Sequence, residues 1–228
     1  MISNDIKKDL EATSGDLVAA GIKGLASQVP FVSELLDIIF TSPVEKRKEE
    51  WLIYLAEGLE ELRNKVGEQS LESLKDNELF TTIVLDATSI AMKTHQELKR
   101  QALRNACLNC AEGTKLNEDI QLIFTKNIDS LTNLDLQLLI YFENPIKRFE
   151  ENGECVDTSF GNGSVTDGLY RYYPKIKGQD EIISNRIKTL YNLGFVSISD
   201  IGGTMSLNGV YSPRLTNMGK QFVSFIRE

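Results

Sequence analysis

Histidine occurs once in this 228-residue chain, and cysteine only three times. A serine triad needs its histidine beside a nucleophile elbow, and the chain has no Gly-x-Ser-x-Gly to go with His95. His95 falls at an expected helix start, where an exposed imidazole is the ordinary case. Cys107 and Cys110 have the spacing of a metal or redox pair. They lie inside an amphipathic helical pattern, and Cys155 and His95 are the only further thiol and imidazole, so the pair reads as core. An odd cysteine count without a regular framework argues for a reducing compartment. Gly-x-x-x-x-Gly-Lys-Ser/Thr and Gly-x-Gly-x-x-Gly are both missing. Phe160-Gly-Asn-Gly-Ser164 is glycine-rich, but no convincing strand precedes it and no lysine follows. Glu60-Glu61 and Glu150-Glu151 read as surface charge, not a catalytic dyad. The expectation is a protein that is not an enzyme, with no catalytic, metal or cofactor site and no evident small-molecule substrate.

A net positive charge is also lacking, with 25 basic residues against 33 acidic. The formal net charge is -8 and the pI near 4.9. Such a chain lacks the broad positive field that drives non-specific nucleic-acid binding. The only net-positive part is residues 177–228, with six basic residues against four acidic. A long uncharged apolar run is missing as well. Residues 15–40, GDLVAAGIKGLASQVPFVSELLDIIF, are the most apolar stretch, yet they contain Asp16, Lys23, Glu34 and Asp37 and are divided by Pro30. A membrane span wants about 20 apolar residues with few or no charges. The better expectation is a helical hairpin turning near Pro30, with Leu25, Phe31, Leu35, Leu36 and Ile39 as candidate membrane or oligomer contacts. Residues 1–13 are polar and lead into no signal-peptide pattern. A cytoplasmic location is expected, with peripheral membrane association through 15–40 as the variant.

What the chain does have is helical periodicity. Ser42-Pro43-Val44-Glu45 predicts a helix start, with Pro43 at the first helical position. The helix runs to about Val66, burying Trp51, Leu55, Leu59, Leu62 and Val66; its charged EKRKEE segment faces water. From Glu78 to Glu112, Phe80, Val84, Ala87, Ala91, Leu98, Ala102, Ala106 and Cys110 recur at helical steps. Thr94-His95-Gln96-Glu97 has the form of a capping box, so the run reads either as one helix or as two meeting near Lys93. Gly113 is placed to end it. Asn117 caps a helix over Glu118 to Ser130, and Thr132-Asn133-Leu134-Asp135 starts another through Phe142, broken at Asn144-Pro145. Residues 150–164 read as a loop, and 165–173 as a short helix. Residues 180–192 form a helix with Ile183, Ile187 and Leu190 inward, ended by Gly194. Phe195–Asp200 and Met205–Tyr211 alternate like two strands joined at Gly202-Gly203. Thr216 caps a last helix. The fold class expected is mainly α: a helical bundle over residues 1–130, then an α+β domain over 131–228 with a two-stranded hairpin.

The order of elements in that second domain resembles a winged helix. RIKTLYNLGFVSISD, residues 186–200, resembles a recognition helix running into the first wing strand. SPRLTNMGKQFVSFI, residues 212–226, resembles the return strand and closing helix of bacterial winged-helix domains, with Leu215-Thr216-Asn217-Met218-Gly219 matching a common step. The resemblance implies Asn185, Arg186, Lys188, Asn192, Arg214 and Lys220 as contacts to DNA or to a protein partner. Acidic Asp180 and Glu181, and a hairpin with no Lys or Arg, favour a protein. The pattern of the longer runs, PFVSELLDIIFTSPVEKRKEEWLIYLAEGLEEL, ELFTTIVLDATSIAMKTHQELKRQALRNACLN and LTNLDLQLLIYFENP, is similar to uncharacterised bacterial proteins, distantly of the Abi-alpha type associated with abortive infection. That resemblance implies a non-enzymatic interaction or effector protein in phage defence or stress, acting through a protein partner or self-association. The alternative is a DNA-binding transcriptional regulator using the winged helix.

Overall fold

The computed structural model describes residues 43–66 and 73–227, without the side chains of Val66, Ser73 and Lys75. The expected apolar hairpin at 15–40, with Leu25, Phe31, Leu35, Leu36 and Ile39, and the cap at Ser42 lie outside the described residues. The chain divides into two compact units, residues 1–129 and 130–228. The described part is mainly helical, with one small two-stranded antiparallel sheet.

In the first unit, helices α1 (Pro43–Val66), α2 (Glu78–Lys93) and α3 (Glu97–Glu112) pack against one another. Each hides one stripe. Trp51, Leu55 and Leu62 come from α1, Ile83, Ala87, Ile90 and Ala91 from α2, and Ala102, Leu103, Ala106 and Cys107 from α3. Leu59 is only half-buried, because Gly58 takes the inward position between Leu55 and Leu62. The reason is Arg104. Its buried guanidinium lies where a Cβ on Gly58 would stand, donates to Tyr54 O (3.1 Å) and to Glu61 Oε2 (3.0 Å), and stacks over the Tyr54 ring. Of the two readings, one helix or two, the structure has two, broken at Thr94–Gln96, though not by the expected box. Thr94 Oγ1 accepts the Gln96 N–H (3.1 Å), and the cap residue Gln96 makes no side-chain cap bond. Gly113, at φ 91°, closes α3 through its N–H to Asn109 O and Cys110 O. Helix α4 (Glu118–Ser130) buries Phe124 and Ile128, and Lys99 Nζ of α3 donates to Asp129 O at its end (2.7 Å).

In the second unit, Thr132 and Asp135 form a full capping box that opens α5 (Asn133–Glu143). Asn144 ends α5 as expected, but it also caps a further short helix, α6 (Pro145–Glu151), with Pro145 at its first turn. The loop expected from 150 to 164 therefore begins later. It also ends earlier, because Asn162–Gly163 (β1) pair with Met205–Ser206 (β2). Helix α7 (Val165–Tyr172) follows from a Ser164–Asp167 capping box, then α8 (Asp180–Asn192), closed by Gly194 at φ 75°.

The expected hairpin between 195–200 and 205–211 does not form. Phe195–Ser197 pair antiparallel with Arg214–Thr216 instead: Ser197 N–H donates to Arg214 O (2.8 Å) and Thr216 N–H to Phe195 O (3.0 Å). The segment after β2 is a helical turn, α9 (Leu207–Val210), because Ser206 Oγ accepts the Gly209 N–H and caps it. Leu207 then packs over Gly161. The chain closes with α10 (Asn217–Phe225), capped by Thr216.

An aromatic cluster fills the space between α5, α6 and α7. Tyr141 lies 5.4 Å from Tyr172 and 6.2 Å from Tyr173, and Phe149 packs edge-on against Tyr172 and Tyr211. Burial raises the Tyr141 and Tyr173 phenols, and desolvation followed by the bond to Asp180 pushes Tyr170 up to about 12. A raised phenol favours the folded chain while it stays protonated. Stability is therefore expected to hold below pH 10, the ordinary tyrosine value, and to fall as pH rises through about 12. Denaturant midpoints measured across that window, alongside phenolate absorbance, check this; a flat midpoint would contradict it.

Candidate functional site

Of the sequence-selected contacts, Asn185, Arg186, Lys188 and Asn192 lie on α8, Arg214 follows α9 and Lys220 lies on α10. With successive residues about 100° apart around a helix, Ile183, Ile187 and Leu190 face the core and are fully buried. Glu181, Asn185, Lys188 and Asn192 form the middle of the outward face, and all are exposed. Ile182 and Tyr191 flank that stripe on either side, 54% and 47% exposed. The outward face is thus one acid, one base and two amides between two apolar flanks.

Arg186 does not belong to that face. Its Nε and Nη2 donate to Asp135 Oδ1 and Oδ2, each at 2.7 Å. Asp135 is fully buried, and its Oδ2 also accepts the Thr132 N–H (2.7 Å) and hydroxyl (2.8 Å). One carboxylate thus caps α5 and fastens α8 to it, and the fork geometry suits arginine. The partnership raises the Arg186 pKa. Arg214 is likewise engaged, with Nη2 donating to Gly209 O (2.6 Å) beside Met205 Sδ, so it pins the α9 turn. Lys220 is exposed on α10. Of the two acids opening α8, Asp180 accepts the Tyr170 hydroxyl (2.6 Å). The structure therefore leaves Asn185, Lys188 and Asn192 together outward, and places Arg186 and Arg214 in internal roles.

Cys107 and Cys110 are buried on α3, and Cys155 is exposed. Burial holds both α3 thiols well above the usual range, with Cys110 pushed up to about 11, so they stay protonated at neutral pH. Among the described residues no group of three or more His, Cys, Asp or Glu is placed to hold a metal ion. Thiol labelling of the folded chain is expected to modify Cys155 quickly and Cys107 and Cys110 only after denaturation. Fast reaction of either α3 thiol would contradict the burial. Among the described residues, too, no helix is long and apolar enough to cross a membrane.

No family model, curated protein or solved structure matches this chain.

Proposed function

We propose that this chain is a non-enzymatic interaction or effector protein of bacterial phage defence or stress response, whose C-terminal unit is a winged-helix-like docking module. The order α5, α7, α8, paired strands and α10 supports the winged-helix reading, with Phe195–Ser197 and Arg214–Thr216 in the place of the wing strands and residues 198–213 as a long wing between them. One observation carries the choice of a protein over DNA. The only arginine of α8 is spent on buried Asp135, and the outward face keeps one lysine against one glutamate, flanked by exposed Ile182 and Tyr191. Phosphate binding draws on several cations; protein contacts draw on apolar and aromatic groups. The defence role rests on the resemblance of the helical runs to the Abi-alpha pattern. The cytoplasm, with peripheral membrane contact through residues 15–40, is the setting that goes with it.

The second reading, a DNA-binding regulator, is favoured by Asn185, Lys188 and Asn192, whose side chains are of the kind that read base edges. Electrophoretic retardation of random duplex DNA at low ionic strength separates the two. The docking reading expects none at any salt concentration. Retardation that Lys188→Glu abolishes in a folded chain, and that weakens linearly with log salt, would overturn it in favour of the regulator.

A further inference from the structure

Glu181, Asn185, Lys188 and Asn192 run along the outward stripe of α8, all of them exposed. Glu181 and Lys188 are its only charges. Lys188 follows Glu181 by seven residues, so the two stand about 10 Å apart along the axis and do not pair with each other. Among the described residues neither is in an ion pair with any other group. Exposed charges on other helices find a partner one turn away, as Lys46 does in Glu50 on α1 and Lys147 in Glu151 on α6. Asn185 lies close to the midpoint between the two unpaired charges. Half-exposed Ile182 and Tyr191 flank the stripe.

We infer that this stripe docks on the same stripe of a second copy of the chain, antiparallel, about a twofold axis beside Asn185. This names the partner of the α8 docking reading and rests on it. A closed dimer is made by a patch that complements itself, with residue i meeting j and j meeting i. Turning the helix about the midpoint of Glu181 and Lys188 sets each carboxylate opposite the other copy's ammonium, twice in one interface. A residue at the axis meets its own counterpart. A charge there would repel itself, whereas an amide both donates and accepts, so two copies of Asn185 satisfy each other. Such an axis also keeps each flank beside its own counterpart. Ile182, close to the midpoint, then packs against Ile182 of the other copy. Tyr191 overhangs the start of the other helix at Gly178, where nothing lies within 4 Å of the Cβ position. A duplex offers this stripe negative charge alone and leaves Glu181 opposed; a second copy answers both signs. One helix face is a small contact, so the dimer is weak and reversible.

Sedimentation equilibrium of the full chain, from micromolar to millimolar, tests this. The unmodified chain is expected to dimerise. Glu181→Lys alone, or Lys188→Glu alone, is expected to raise the dissociation constant roughly tenfold or more, because each turns both pairs into like charges. Asn185→Asp, which sets like charges at the axis, is expected to weaken the dimer as well. An equimolar mixture of the Glu181→Lys and Lys188→Glu chains is expected to associate as tightly as the unmodified chain, since every pair across a mixed dimer is again of opposite sign. That recovery also shows that both variants fold. A chain that stays monomeric throughout would overturn the inference. So would a dimer that these substitutions leave unweakened, or one that mixing does not restore. Those results bear on the partner alone; the docking reading of α8 falls instead to retardation of DNA.

Discussion

Replacing Gly219 by alanine is expected to destabilise the C-terminal unit by about 3 kcal/mol or more, at or beyond the upper end of ordinary overpacking. A Cβ there would stand inside the envelope of the Phe195 carbonyl oxygen and 2.9 Å from its carbon. The obstacle is backbone, so no side chain can swing aside. Nor can Phe195 retreat. Its carbonyl accepts the Thr216 N–H (3.0 Å), and its ring stacks on Phe222 with centroids 4.5 Å apart. Thr216 also caps α10 through the Gly219 N–H (3.0 Å). The Leu-Thr-x-x-Gly step is thus one joint: threonine starts the helix, and glycine lets that helix sit on the strand. For a unit of this size the melting temperature should drop by roughly 15 °C. Gly203→Ala is the control, because nothing lies within 4 Å of its Cβ position, and it should shift stability by no more than about 0.5 kcal/mol. A Gly219→Ala chain that melts with the wild type would show that the α10–strand approach is not as described.

The second large effect is expected at the pair joining α5 to α8. Removing one partner of a buried ion pair costs about 3–5 kcal/mol, because the other is left uncompensated. Arg186→Ala should fall near the low end, since the arginine side chain is 26% exposed and water can reach part of the site. Asp135→Ala should cost more. It strands the guanidinium and also removes the capping-box acceptor of the Thr132 N–H, a loss of about 1 kcal/mol by itself. Urea midpoints of the two variants give the order directly. The stability attributed to the pair should change little with added salt, as buried charges are weakly screened. Equal costs, or an Arg186→Ala chain as stable as wild type, would contradict the assignment.

Much of the helical architecture was legible in local signals. Thr132 and Thr216 sit at caps the sequence marked, Gly113 and Gly194 close helices where their freedom at positive φ is needed, and Ile183, Ile187 and Leu190 face inward as their spacing required. What was not legible is long-range or competes with a local pattern. Asp135 read as a cap and Arg186 as a surface reader of DNA or partner; that they meet depends on a pairing 51 residues apart, which no spacing rule encodes. Gly58 lies in a helix interior, and its place there is explained by Arg104, whose guanidinium occupies the space a Cβ would need. Met205–Tyr211 alternated as a strand does, yet Ser206-Leu207-Asn208-Gly209 also carries a helix-cap signal, and the cap won. The partner strand of Phe195–Ser197 was then Arg214–Thr216, the stretch the winged-helix resemblance had placed as a return strand.

The proposed preference for a protein partner over DNA depends on Arg186 belonging to the interior joint between α5 and α8, which removes it from the outward face. A double-mutant cycle with Asp135→Ala, Arg186→Ala and the combined variant, followed by urea unfolding, addresses that claim most directly. The predicted result is a coupling of about 2 kcal/mol, with the combined variant losing far less than the sum of the two. Strict additivity of the two losses would contradict it.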